Sequence, residues 1–146
     1  MRFDWVIPCR DVEFRDGGVH ISHGGINCIR VPKLPIRVSF IVLLRLVGLV
    51  QDFDEHAPRN IEAYVNGPDG EALFDLQFEV PSGGPSDSYQ PGWELVAYMP
   101  VGVRFTPTQV GYHELNFYLQ TDRPKTQLDR ERKRYLPLMI KLIDSN

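Results

Sequence analysis

The chain reads as an all-β fold, a two-sheet sandwich of about eight short strands. Three observations carry this. Apolar and polar residues alternate in runs of strand length. Val, Ile, Phe and Leu dominate those runs, which suits a pleated, half-buried surface. Gly, Pro, Asn and Asp cluster between the runs at short intervals and punctuate them as turns. No internal repeat and no second block of periodic pattern is visible. The 146 residues are read as one domain, 1–146, long enough to bury a real core.

The clearest passage is Asn66-Gly67-Pro68-Asp69-Gly70. Before it, Ile61, Ala63 and Val65 alternate with Glu62, Tyr64 and Asn66. After it, Phe74, Leu76, Phe78 and Val80 alternate with Leu73, Asp75, Gln77 and Glu79. Pro68 presets the φ a turn needs, Asp69 can bond its own backbone, and Gly67 and Gly70 accept positive φ. A β-hairpin over 61–80 is expected.

The other elements follow in chain order. Phe3 to Cys9 is a short apolar-aromatic strand ending near Pro8. Val12 to Phe14 and Val19 to Ser22 form a strand and its return, turning at Asp16-Gly17-Gly18. Gly24-Gly25 then precede another short strand, Ile26 to Val31. Val31-Pro32-Lys33-Leu34-Pro35 is an extended connection, because each proline biases its predecessor away from helix.

Ile36 to Val50 is the longest apolar run. As a strand it places Val38, Phe40, Val42, Leu44 and Leu46 on one face. Ser39, Ile41, Leu43, Arg45 and Val47 take the other. Apolar groups on both faces predict a central strand. A helix also satisfies this run, but its Val, Ile and Phe content and the interruption at Gly48 favour strand.

Gln51 to Asn60 is an acidic, polar loop, and Pro81 to Pro91 is a Gly-, Ser- and Pro-rich surface loop. Trp93 to Phe105 is a strand pair or one bulged strand, broken at Pro100 and Gly102. Tyr112 to Gln120 is a strong strand with His113, Leu115, Phe117 and Leu119 on one face. Thr121 to Arg134 is strongly charged and is read as a long hairpin loop or as helix, with one short helical turn near 125–134. Tyr135 to Ile143 closes the fold, at an edge position because of Pro137.

Composition bounds the function classes. A formal net charge of -3 argues against a dedicated nucleic-acid binder. The opening Met1-Arg2-Phe3-Asp4-Trp5 has an early acid and no apolar run of signal-peptide length. Ile36 to Val50, interrupted by Arg37 and Arg45, is too short to span a bilayer. The expectation is a cytoplasmic protein with no membrane span. Cys9 and Cys28 are too few for a disulfide scaffold. A bridge between them is geometrically open if the first strands are neighbours, but a reducing cytosol favours two buried or partly buried thiols.

Three patches resemble a group of uncharacterised bacterial proteins that read as single immunoglobulin-like sandwiches. The first is Asp4-Trp5 with Cys9 nearby. The second is Ile21-Ser22-His23-Gly24-Gly25-Ile26, followed by Arg30-Val31-Pro32 and Leu34-Pro35. The third pairs Asn66-Gly67-Pro68-Asp69-Gly70 with Gly111-Tyr112. The resemblance implies an immunoglobulin-like β-sandwich and transfers no catalytic motif, since its residues are turn and core residues. Many such sandwiches place a tyrosine two residues after the glycine, where its hydroxyl bonds a corner. His113 holds that position here, so a normal tyrosine corner is not expected.

Five constellations bear on chemistry. Cys9, His20, His23 and Cys28 are zinc-ligand types, but their spacing matches no established ligand pair, and surface histidines with core thiols are the expectation. Asp52, Asp54 and Glu55, with Asp87 or Asp69 from another loop, offer oxygens for calcium, which takes six to eight; a solvated loop is favoured. Cys9 or Cys28 with His20, His23 or His113 lacks a local signature for nucleophilic catalysis, and Ser82, Ser86 and Ser88 lack a nucleophile elbow. Arg123, Lys125, Arg130, Arg132, Lys133 and Arg134 concentrate positive charge, partly neutralised by Asp122, Asp129 and Glu131. Trp5, Trp93, Tyr89, Tyr98, Tyr112 and Tyr118 are aromatic anchors if exposed, with Trp5 and Trp93 expected in the core or half-buried.

The sequence therefore supports a non-enzymatic module for protein–protein interaction or assembly, with no cofactor, metal or catalytic residue assigned. Its partner is another protein or a second copy of itself, met by edge-strand addition or face packing. The expected contacts are Tyr112, Glu114, Asn116, Tyr118, Arg130, Arg132 and Arg134. The alternatives are ion or small-ligand binding at loop tips 52–56 and 82–88, or a structural part of a virion or secretion-type assembly.

Overall fold

A computed structural model describes residues 1–49, 60–80, 92–120 and 133–144. The loops expected at 51–60 and 81–91 lie almost wholly outside the described residues, as does most of the charged segment 121–134 with its helical turn. Among the described residues no helix is long and apolar enough to cross a membrane, and every regular element is a strand.

Among the described residues ten strands are present, where about eight were expected for the chain. They are β1 (Arg2–Cys9), β2 (Asp11–Arg15), β3 (Gly18–Ser22), β4 (Cys28–Val31), β5 (Val38–Leu49), β6 (Asn60–Asn66), β7 (Ala72–Glu79), β8 (Glu94–Phe105), β9 (Gly111–Gln120) and β10 (Lys133–Leu142). One sheet has the order β1-β5-β8, the other β4-β10-β9-β6-β7, and β2-β3 is a separate hairpin. The hairpin turns through Asp16 and Gly17, at φ +52° and +72°. Two consecutive positive φ values match the right-handed twist of the flanking strands.

The core fills the space between the two large sheets. Val38, Phe40, Val42, Leu44 and Leu46 of β5 are all buried and belong to it, on the face the alternation assigned. Facing them from the second sheet are Ile61, Ala63 and Val65 of β6, and Leu115, Phe117 and Leu119 of β9. The registers Ile61↔Leu119, Ala63↔Phe117 and Val65↔Leu115 put these six on one face. At about 25 cal/mol per Å² of apolar surface removed from water, this shared layer is the main stabilising term.

β5 lies between β1 and β8, and part of its outward face is buried as well. Leu43 is 0% exposed and Val47 is 4% exposed. Leu43 is flanked by Ile7 of β1 and Pro100 of β8. The chain after β3 screens this end of the sheet. The Arg10 amide donates to the Ser22 carbonyl at 3.0 Å, and the Gly25 amide donates to that of Pro8 at 2.8 Å. A methyl group at Gly24 would sit 3.2 Å from Ile21 and 3.6 Å from Ile7.

Two expectations are corrected. β8 is one continuous strand, paired with β5 from Glu94 to Phe105 with no break at Pro100 or Gly102. The proline is tolerated because β8 is an edge strand, where a missing N–H breaks no ladder. β10 is not an edge strand, since it lies between β4 and β9. The β4 pairing begins only at Met139, however, so Pro137 has a strand neighbour on one side alone. The β4–β10 pair is parallel, the one such pair among the described sheets.

The Asn66–Gly70 turn forms as expected, and the later Gly-aromatic strand packs on it. The Gly70 amide donates to Gly67 at 2.9 Å, the Gly67 amide donates to Glu71 at 2.7 Å, and the Asp69 carboxylate accepts from the Glu71 amide at 3.1 Å. Gly70 has φ +85°, whereas Gly67 does not need positive φ. Gly111, at φ +124°, opens β9 against this turn: a Cβ there would lie 3.3 Å from Pro68. The Gln109 side-chain amide donates to Asp69 at 2.9 Å. Chain segments 40 residues apart are thus latched at one end of the sandwich.

Gly111→Ala imposes a left-handed backbone on a residue with a Cβ and drives that Cβ toward Pro68. It should lower unfolding free energy by about 1–3 kcal/mol in denaturant titration. Hydrogen bonding from the Glu71 amide, helped by Gln109, holds the Asp69 carboxyl below its ordinary range. Its contribution is therefore fully present above the unfolded value near ~3.9 and is lost as pH falls through the lower folded value. Asp69→Ala should melt below the parent protein at pH 7, and the gap should close as the pH is taken down from about 4.

Candidate functional site

The outward face of the three-stranded sheet carries a charge in an otherwise apolar setting. Arg45 sits mid-way along β5, with Trp5 of β1 and Tyr98 of β8 as its partners in register. These are adjacent strands of one sheet, so the three side chains form a row across it. The Trp5 and Tyr98 ring centroids are 5.8 Å apart with planes at 52°. The Arg45 guanidinium lies 5.8 Å from the Tyr98 ring centroid, and its Nε donates to the Tyr98 hydroxyl at 3.3 Å. Its Nη1 is ion-paired with the Asp4 carboxylate.

That ion pair depends on a local irregularity. The β1 register shifts between Phe3 and Trp5. Asp4 is the extra residue at this bulge, and a bulge re-aims a side chain out of strict alternation. Arg2, in register with Val47, and Glu94, in register with Leu49, pair at 3.3 Å further along the same face. Val96 and Tyr98 stay 42% and 38% exposed, and Trp5 is half-buried. The result is an aromatic-cationic row held on the best-supported strand of the fold.

The expected contact face on the second sheet is only partly presented. Tyr112 is 63% exposed and Glu114 is exposed. Asn116 and Tyr118 lie on the same outward side but are buried. The registers place Asn116 between Tyr64 and Tyr135, two large neighbours that cover it. Its side-chain nitrogen has no hydrogen-bond partner. Arg134 pairs in register with Phe117, a core residue, and its guanidinium donates to the Phe3 carbonyl at 2.9 Å. It ties β10 to β1. Arg130 and Arg132 lie outside the described residues, as do the loop tips 52–56 and 82–88.

The thiols and imidazoles form no common centre, although His23 and Cys28 line one groove. Cys9 and Cys28 are both free. Cys9 is 0% exposed, and burial, with the Asp11 charge adding to it, pushes its thiol pKa up. Cys28 is exposed, which corrects the expectation of burial: it sits on the sheet-edge strand β4 beside Met139, on the outward side. His20 and His23 are exposed. Among the described residues no three His, Cys, Asp or Glu side chains come together as a metal site. Trp93 is 50% exposed, more open than its expected core or half-buried place.

His113 takes the tyrosine-corner position and is 0% exposed. Its Nδ1 is 3.0 Å from the Gly111 carbonyl. A carbonyl only accepts, so Nδ1 carries the hydrogen. The ring lies 5.7 Å from that of Phe105, and Nε2 has no partner. An imidazole thus closes the corner in place of a hydroxyl.

No family model matches the chain, and no curated protein matches it either. The sequence resemblance to bacterial sandwich proteins therefore rests on turn and core residues alone. Among solved structures the chain is similar to the CARDB domain of a Pyrococcus furiosus protein, determined in complex with di-metal ions. The identity is 12%, the coverage 97% of each chain, and the TM-score 0.47.

The row Trp5–Arg45–Tyr98 escaped the sequence reading as a unit. Arg45 was visible as a charge within an apolar run, and Trp5 and Tyr98 as aromatics. Only the register brings them together.

Titration of the native protein with a thiol reagent should modify one cysteine quickly, Cys28. Cys9 should react only after unfolding, because it is both inaccessible and held as the thiol. Cys28→Ser should abolish the fast phase.

Proposed function

We propose that this chain is a non-enzymatic β-sandwich interaction module that docks another protein, or a second copy of itself, through the outward face of its three-stranded sheet. The carrying observation is the half-exposed row of Trp5, Arg45 and Tyr98. Trp, Tyr and Arg are the residue types enriched at energetic centres of protein interfaces. They combine large apolar area with a polar tip and lose little conformational entropy on binding. Here they are fixed in advance by a ring contact, a hydrogen bond and an ion pair, so docking immobilises few further rotamers.

Face packing is favoured over strand addition. β8 is an edge strand of 12 residues, and an open edge is a template for another strand. Pro100 interrupts its donors, however, as prolines on natural edges do. Tyr112 and Glu114 on the other sheet are a weaker contact surface, because their neighbours Asn116 and Tyr118 are buried.

Trp5→Ala and Tyr98→Ala should each weaken partner binding, or the sedimentation dimer, by about 30-fold or more, with circular dichroism unchanged. Tyr112→Ala should have a much smaller effect. Binding that survives both sheet-face substitutions, or an inert monomer that captures no defined partner, would overturn the reading.

A further inference from the structure

A second surface feature lies at the opposite end of β5. The β1 pairing stops at Cys9↔Ile41, so Val38, Ser39 and Phe40 have no strand partner on that flank. β4 belongs to the other sheet. A groove opens between them, lined by Ile26, Ile29 and Phe40 together with Arg10, His23 and Arg30. The apolar wall is continuous with the core: Phe40 is part of it, and Ile26 and Ile29 pack against it.

The charge of the groove is one-sided. No Asp or Glu lines it, in a chain where Asp and Glu number 19 against 16 Lys and Arg. Among the described residues, ion pairs are made by arginines elsewhere, such as Arg2, Arg15 and Arg45, and not by Arg10 or Arg30. Arg10 and Arg30 are exposed, and among the described residues neither guanidinium has a hydrogen-bond or ion-pair partner. Uncompensated cations beside a low-dielectric wall focus a positive potential. A guanidinium is built to grip phosphate or carboxylate oxygens two at a time. Arg10 also lines an adjoining groove with Arg104, where again no acid is present.

We infer that this groove binds a phosphate or carboxylate group carried on an apolar body, the anion between Arg10 and Arg30 and the body against Ile26, Ile29 and Phe40. The site is separate from the Trp5–Arg45–Tyr98 row and does not depend on that reading. Cys28 lines the groove and is exposed, so its thiol reports occupancy.

The test uses phenyl phosphate as probe, with inorganic phosphate, phenol and sodium chloride at matched ionic strength as controls. Phenyl phosphate should raise the melting temperature with concentration and slow alkylation of Cys28. Inorganic phosphate should act more weakly, and phenol and chloride hardly at all. Arg10→Ala and Arg30→Ala should each weaken the effect about tenfold or more. Both side chains are exposed, so the melting temperature without probe should stay close to the parent's. A phenyl phosphate effect no greater than that of chloride, or one retained in full by both variants, would overturn the inference. Equal binding of inorganic phosphate would remove the apolar body from it, and equal binding of phenol would remove the anion.

Discussion

The structure depends on β5 being dry on its inner face and over part of its outer one. One face supplies Val38, Phe40, Val42, Leu44 and Leu46 to the layer between the sheets, and the other buries Leu43 and Val47. A strand with two buried faces must be central, must have partners on both edges, and must have its outer face screened. Those requirements account for β1 and β8 as its neighbours and for the return of the chain after β3 onto the β1 end. They also dictate what happens at Arg45, a permanent cation on a strand that excludes water from most of its length. Its charge stays at a partly open position, where Asp4, Tyr98 and Trp5 surround it. A half-exposed ion pair of this kind adds little stability by itself. Its consequence is positional: it fixes three interface-type side chains in a row across β1, β5 and β8.

Much of the fold was legible because local rules and global burial agree. The two-face pattern of Ile36 to Val50 gave a central strand. The Asn66–Gly70 turn gave a hairpin, while the approach of Gly111 to its Pro68 appears only in the structure. The alternation of Tyr112 to Gln120 correctly separated Leu115, Phe117 and Leu119 from the outward residues. The failures have one cause, which is that sequence shows periodicity but not neighbours. Pro137 suggested an edge, and only the late start of the β4 pairing explains how an interior strand accommodates it. Pro100 and Gly102 suggested a break, and only the open edge of β8 explains why none occurs. Cys28 looked like a core thiol because nothing local marks β4 as a sheet edge.

The candidate surface was less legible than the fold for the same reason. Trp5, Arg45 and Tyr98 are separated by 40 and 53 positions, and the row exists only through the β1–β5–β8 register. Asn116 and Tyr118 were read correctly as outward-facing, but their burial depends on neighbours from other strands, Tyr64 and Tyr135 beside Asn116 and Glu62 beside Tyr118. The groove by Arg10 is a further product of topology: it arises where β1 runs out before β5 does. Fold and site thus share an origin. The same strand that organises the core leaves one row of its outer face and one end of its flank open to solvent.

The most direct measurement is native-state hydrogen exchange of the backbone amides of Val42, Leu43 and Leu44, compared with those of β6 and β9. If two-sided burial of β5 holds the fold together, these amides exchange only through global unfolding, with protection equal to the full stability and matched across both sheets. Exchange of β5 through a local opening, at lower free energy than β6 and β9, would contradict it. The three-stranded sheet would then be an appendage to the five-stranded one, and no rigid platform for docking.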